Sequence, residues 1–247
     1  IAGSEGMGFT AGMTQWIVST NVMNTGFVMP MMGGVVGLSL VYVDYGEIMQ
    51  AGWAGTSEFV FEPNQGSFTA SDKALQFSYG KNLSDKFSIG GSAKYVSQII
   101  AETGIDGLAF DIGTQFNTGY RGIRMGAVIS NFGADLESDA GEDISYEEYP
   151  AMSLPMTFSF GVVGEAIPGL NAGLNVLKQA DLGQEFIVNA EYDISVASLR
   201  FSYNLNNPQQ ELSVGAGVNL GGISANLAMT MTQHFDNVMR LGIGYSF

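Results

Sequence analysis

The sequence predicts a transmembrane antiparallel β-barrel of about 14 strands. Apolar residues alternate with polar or small residues along most of the chain, as in strands that have two different faces. Charged residues make up only 13% of the 247 residues, whereas 34 residues are glycine. No apolar run approaches the roughly 18 residues of a transmembrane helix. A strand face turned toward lipid needs no charge, so a barrel explains both the alternation and the composition.

The last predicted strand shows this alternation most clearly. Its apolar face consists of Met239, Leu241, Ile243, Tyr245 and Phe247. Its other face consists of Arg240, Gly242, Gly244 and Ser246. Aromatic residues near the strand end are typical of the membrane interface. The predicted strands cover 8–17, 22–30, 36–42, 75–79, 87–95, 108–116, 123–130, 156–162, 170–176, 186–192, 197–203, 212–219, 223–231 and 239–247.

The connections between these strands favour the same topology. If the C-terminus is periplasmic, the periplasmic turns cover 30–34, 82–86, 117–121, 165–169, 193–196 and 220–222. These turns are short and rich in Gly, Pro, Asn or Asp. The two longest connections, 46–66 and 133–153, then fall on the extracellular side, as in outer-membrane barrels. We therefore expect one barrel domain, 1–247, in a bacterial outer membrane.

Charge and cysteine content exclude several other classes of protein. The net charge is −15, which disfavours a nucleic-acid partner because phosphate binding needs a basic surface. The absence of cysteine excludes disulfides, thiolate metal sites and cysteine catalysis. A soluble β-sandwich or β-solenoid also alternates, but it would need more surface charge than this chain carries.

Several stretches resemble the PorV/PorQ family of outer-membrane barrels, which are relatives of the FadL long-chain fatty-acid transporters. The longest is Thr118-Gly-Tyr-Arg-Gly-Ile-Arg-Met-Gly-Ala-Val-Ile-Ser-Asn-Phe-Gly133. Shorter similar stretches cover 42–46, 70–79, 83–95, 110–114, 154–158 and 215–221. The resemblance extends over roughly residues 35 to 247 and implies a FadL-like barrel of 14 strands.

The resemblance also implies a function. PorV and PorQ would make this chain a membrane-anchored adaptor, shuttle or capping subunit in type IX secretion, with other secretion or envelope proteins as partners. One alternative is a FadL-like channel with a hydrophobic small molecule or lipid in the lumen. Another is a structural barrel subunit of a larger envelope complex. Family members begin with a longer N-terminal hatch segment, whereas only Ile1 to Gly8 precede the first predicted strand, so we expect the hatch to be absent or truncated in this sequence.

Charged residues on the polar strand faces are the first candidates for a functional site. They are predicted to line the lumen and are Lys94, Asp111, Arg124, Glu191, Arg200 and Arg240. They could set selectivity or bind a ligand. Alternatively, they could neutralise one another as ion pairs inside the barrel.

The two long loops are the second set of candidates. Apolar side chains in the 46–66 loop would be costly if exposed, so they either fold over the barrel mouth or contact a partner. The candidate partner-binding residues are Ile48, Met49, Trp53, Phe59 and Phe61. The 134–149 stretch carries seven carboxylates without a basic residue. It could bind a divalent cation, although its spacing is not that of an EF-hand and a solvated loop would have the same composition.

Nothing in the sequence supports catalysis or a bound cofactor. His234 is the one histidine, and no nucleophile motif accompanies it. Gly215, Gly217 and Gly221 match a dinucleotide loop in spacing only, because no helix follows them. We therefore expect a protein that is not an enzyme and has no catalytic, cofactor or metal-binding residues.

Overall fold

The computed structural model describes residues 2, 4, 6–50, 66–138, 152–207 and 212–247, and all its regular elements are β-strands. The strands are β1 (Gly8–Gln15), β2 (Asn21–Met31), β3 (Gly34–Met49), β4 (Ser67–Asn82), β5 (Phe87–Ile100), β6 (Thr103–Asn117), β7 (Arg124–Gly133), β8 (Glu137–Ser138), β9 (Thr157–Ile167), β10 (Leu170–Gln179), β11 (Gln184–Ile194), β12 (Ala197–Asn204), β13 (Leu212–Leu220), β14 (Ile223–Thr230) and β15 (Val238–Ser246). All but the two-residue β8 form one closed antiparallel barrel. The predicted fold class and strand number are confirmed.

The first and last long strands close the barrel. β1 pairs with β15 from Gly8↔Ser246 to Gln15↔Met239. We call the barrel end that holds these termini the turn end, and each of its connections has six residues or fewer. The opposite end, which we call the loop end, carries the two longest connections, 50–66 and 134–156, together with the two-residue connection between β5 and β6. In the β2–β3 turn, Met32 and Gly33 have φ values of 54° and 69°. In the β13–β14 turn, Gly221 and Gly222 have 58° and 85°. Positive φ at both central residues is the geometry that suits tight hairpins.

Four adjacent strands are longer than the alternation predicted. β3, β4, β5 and β6 contain 16, 16, 14 and 15 residues. About 9–11 tilted residues cross a bilayer, so these strands extend beyond it at the loop end. The excess escaped prediction because the extensions, such as 43–49 and 67–74, are polar or irregular in their alternation.

Burial follows the two faces of the barrel wall. Outward-facing residues include Leu241, Leu199 and Phe77, whose exposed fractions are 59%, 53% and 54%. Among the described residues, the buried apolar side chains are Val35, Ala70, Ala109, Leu136 and Val238. A soluble domain of this size would bury many more, because its stability depends on a packed core. The wall instead places its apolar face against the surrounding medium, as a membrane barrel does.

The described part of the chain contains no helix that is long and apolar enough to cross a membrane.

Candidate functional site in the barrel lumen

The lumen is lined mostly by small and polar side chains. One cavity of about 540 Å³ lies against β1, β2 and β11 to β15, and we call it the polar cavity. Its inward-facing lining includes Thr10, Asn24, Asn189, Ser202, Ser213, Asn226, Arg200 and Arg240. Two further cavities, of about 400 and 360 Å³, are lined in part by Ser4 and Ala2 respectively. Ala2 and Ser4, which precede β1, therefore face the lumen.

A second cavity of about 520 Å³ is less polar. It lies against β6, β7 and β9 to β11, and we call it the mixed cavity. Inward-facing apolar side chains in its lining are Val128, Val163, Leu177 and Ile187. Arg124 also lines it and pairs in register with Val163. This cavity therefore offers an apolar surface beside one cationic group.

The first cluster of inward charges lies at a β-bulge between β6 and β7 and stabilises it. Lys94 Nζ lies 2.7 Å from Asp111 Oδ1, and both side chains are largely buried, with exposed fractions of 14% and 16%. Asp111 also accepts hydrogen bonds from Ser92 Oγ at 2.7 Å and from the Asn131 backbone N–H at 2.9 Å. The Lys94 ammonium also donates to Asn131 Oδ1.

The backbone explains why this carboxylate is needed. The β6–β7 register shifts between Phe110 and Ile112, and Asn131 has a φ of 57°. At such a bulge a backbone donor loses its partner in the ladder. The Asp111 side chain takes the place of that missing carbonyl for the Asn131 N–H. The cluster thus stabilises a local break in the β-sheet.

The second cluster crosses four strands. Arg200 Nε lies 2.6 Å from Glu191 Oε2, and Arg200 Nη1 donates to Asn226 Oδ1 at 2.7 Å. Arg200 is on β12 and Asn226 on β14, so the side chain passes over β13. It can do so because Gly217 has no side chain: a Cβ there would lie 3.2 Å from Arg200 Nη1 and 2.6 Å from Asn226 Oδ1.

The remaining two inward charges have no carboxylate partner among the described residues. The Arg240 guanidinium lies 5.6 Å from the centre of the Trp16 ring and donates to Thr230 Oγ1 at 2.7 Å. Arg124 is exposed to the mixed cavity. Of the six predicted lumen charges, the structure thus places Lys94, Asp111, Glu191 and Arg200 in two ion pairs and leaves Arg124 and Arg240 without one.

A third polar contact lies where β3 and β4 extend beyond the expected membrane span. Tyr45, the twelfth residue of β3, donates its hydroxyl to Asp72 Oδ2 at 2.6 Å. This hydrogen bond to the carboxylate, together with burial, raises the pKa of Tyr45 to about 12. Asp72 Oδ1 is buried and has no hydrogen-bond partner among the residues that the structure describes, so the Tyr45 hydroxyl is the group seen to satisfy this carboxylate. Sequence reasoning missed the pair because Tyr45 sits at a bulge.

Replacing Tyr45 by Phe should lower the free energy of unfolding at pH 8 by about 1.5 kcal/mol, because a hydrogen bond to a charged group is lost. The pKa of Tyr45 is raised from 10.0 to about 12, so the stabilisation is complete below pH 10 and disappears as the pH rises to 12. Urea unfolding in lipid vesicles measures the difference. Tyr120→Phe, in an exposed turn, is the control. Equal stability of Tyr45→Phe and the parent at pH 8 would contradict this assignment.

The loop candidates are only partly within the described residues. Ile48 and Met49 end β3 and are 37% and 56% exposed. Trp53, Phe59 and Phe61 lie outside the described residues, as does the acidic stretch beyond Ser138. In the part that is described, no three His, Asp or Glu side chains are grouped to hold a metal ion. His234 is an exposed residue between β14 and β15.

Fold and lumen together define a class of protein: a transmembrane β-barrel of FadL-like fold with cavities large enough for small molecules. The toluene transporter TodX of Pseudomonas putida has this fold, with a TM-score of 0.72 at 9% identity over 98% of this chain and 90% of the TodX chain.

Two further structures of TodX agree. A second crystal structure matches with a TM-score of 0.65 at 10% identity, covering 98% of this chain and 89% of that one. The deltaS2 mutant of TodX, described as a monoaromatic hydrocarbon channel, matches with a TM-score of 0.63 at 9% identity, covering 98% and 88%. No protein-family model and no curated protein sequence matches the chain.

Proposed function

We propose that this protein is a FadL-like channel for small hydrophobic molecules in a bacterial outer membrane, with its turn end in the periplasm. The observation that carries the proposal is the mixed cavity. Val128, Val163, Leu177 and Ile187 turn apolar side chains inward, against the general alternation of the wall. Inward apolar groups in a water-filled lumen are unfavourable unless they contact an apolar solute.

The fold supports the same proposal independently. TodX, which has the same fold, is a toluene transporter. The polar cavity beside the apolar surface would let water accompany the solute across the rest of the lumen. Selectivity would then come from the apolar patch, and the ion pairs on the flanking strands, Lys94–Asp111 on β5 and β6 and Glu191–Arg200 on β11 and β12, would keep the lumen open and rigid.

Replacing Leu177 by Trp should slow uptake of an apolar solute severalfold, because the larger side chain projects into the mixed cavity. The measurement is the initial rate of labelled toluene uptake by cells that contain the barrel in their outer membrane. Leu174→Trp is the matched control, because Leu174 lies on the same strand and faces outward with 44% exposure. Uptake at the parental rate by Leu177→Trp, or no uptake above cells without the barrel, would refute the channel proposal.

An adaptor role in type IX-like secretion is the second candidate. It is favoured by Ile48 and Met49, which expose apolar side chains where β3 extends past the membrane span. Such groups suit a protein partner at the loop end. Mild detergent extraction followed by identification of co-purifying secretion proteins tests this role. Loss of those proteins in Met49→Ser would support it, and a barrel that purifies alone would count against both this role and that of a structural subunit.

A further inference from the structure

An outward-facing groove of about 620 Å³ runs along β5 on the outside of the barrel. Its floor is formed by Gly91 and Ala93, two consecutive small residues on the outward face of β5. Its walls are aromatic and aliphatic side chains of the neighbouring strands. They are Phe77 and Tyr79 on β4 and Phe110 and Ile112 on β6, with Phe132 of β7 behind them.

The strand register explains why a groove forms here. Ala93 lies between Phe77 and Phe110, and Gly91 lies between Tyr79 and Ile112. Two consecutive rows therefore have large side chains on both sides and a small residue in the middle. The slot covers the one strand, β5, that carries the small residues. It is therefore about 5 Å wide, which is one strand spacing and also the width of one extended hydrocarbon chain.

The groove lies within one leaflet of a membrane. From Ala93 to Ile89 its lining covers four residue steps of β5, about 14 Å along the strand and about 10 Å along the membrane normal, because barrel strands tilt by about 45°. Half of the hydrocarbon core is about 15 Å thick, so an acyl chain held in the groove stays in one leaflet. Leu83 and Lys81 end the groove at the turn end of the barrel, where the β4–β5 turn begins.

Lys81 provides a positive charge at one end of the groove, and this charge favours a lipid with a phosphate headgroup over a plain hydrocarbon. It is exposed, faces outward, and takes part in neither of the two ion pairs found among the described residues. Lysine side chains near the ends of membrane spans place their ammonium at the level of the headgroups, where phosphate is available.

We propose that this groove binds one glycerophospholipid of the leaflet at the turn end. One acyl chain lies on Gly91 and Ala93 between the rings of β4 and β6, and the phosphate contacts Lys81. The site is on the outer surface, so it does not depend on whether the lumen conducts.

The test is retention of phosphatidylglycerol by the purified full-length barrel. The protein is incubated with 1-palmitoyl-2-oleoyl-phosphatidylglycerol in detergent, and bound lipid is counted by native mass spectrometry. Ala93→Phe fills the groove and should remove the retained lipid. Lys81→Gln should lower its occupancy severalfold while leaving the fold intact, because this side chain is exposed.

Two matched controls separate this site from general lipid contact. Ala225→Phe adds the same ring to an exposed outward alanine on β14, and Lys86→Gln removes a charge in the adjacent turn. Both should retain lipid as the parent does. Equal retention by Ala93→Phe and the parent would overturn the proposal, and so would equal loss in Ala225→Phe. If Ala93→Phe instead converts a dimer to a monomer without changing lipid retention, the groove is an interface between copies and the proposal is wrong.

Discussion

Replacing Leu241 by Arg should lower the free energy of unfolding in a bilayer by about 2–4 kcal/mol, the cost of a cation near the midplane on the lipid face of a barrel. Leu241 is at the middle of β15, faces outward with 59% exposure, and lies beside Leu227 of β14. In a water-soluble barrel the same substitution on an exposed side chain would be nearly neutral. The size of the effect therefore tests directly whether this face contacts lipid.

Urea unfolding of the barrel in phosphatidylcholine vesicles provides the measurement. Ser39→Arg is the matched control, because Ser39 is near the middle of β3 and lines a cavity on the inward side. An arginine there remains hydrated, so the control should unfold close to the parent. If the two variants lose the same stability, the outward face does not contact lipid.

Replacing Asp111 by Asn should destabilise the barrel by about 3–5 kcal/mol, because removal of one partner from a buried ion pair leaves the other charge uncompensated. The Lys94 ammonium would remain, largely buried, without its counterion at 2.7 Å. The Asn131 N–H would also lose a charged acceptor at the bulge. We expect the loss to be concentrated in β6 and β7.

Glu191→Gln is the matched comparison, because it also removes one carboxylate from an ion pair, but from a pair that is exposed. The difference between the two variants measures the effect of burial. The Glu191–Arg200 pair is as short, at 2.6 Å, but its side chains are 40% and 44% exposed to the lumen. An exposed pair contributes about 0–1 kcal/mol, since water screens it and solvates either partner alone. The same vesicle unfolding experiment, with hydrogen exchange of the β6–β7 amides, measures both variants. Equal losses for Asp111→Asn and Glu191→Gln would contradict the role assigned to the bulge cluster.

The alternation of side chains was sufficient to predict the strands and their even number in the barrel. This succeeded because a strand has only two faces, so the side-chain period of two is a local property that can be read from neighbouring residues. The positions of the turns 220–222 and 30–34 could be predicted in the same way, since tight hairpins need residues that tolerate positive φ. Even the ambiguous segments 8–17 and 22–30 became strands β1 and β2 at nearly those positions.

The partners of the inward charges depended on tertiary structure. Which residue lies opposite another is set by the register between strands, and that register depends on closure of the whole barrel. Glu191 faces Arg200 only because β11 and β12 pair as they do, and Arg200 reaches Asn226 only because Gly217 leaves space on β13. The bulge at Asp111 and the groove over Gly91 and Ala93 likewise arise from alignment across three strands. The local sequence thus determined what each strand presents to each side, whereas the closed sheet decided which of those groups meet.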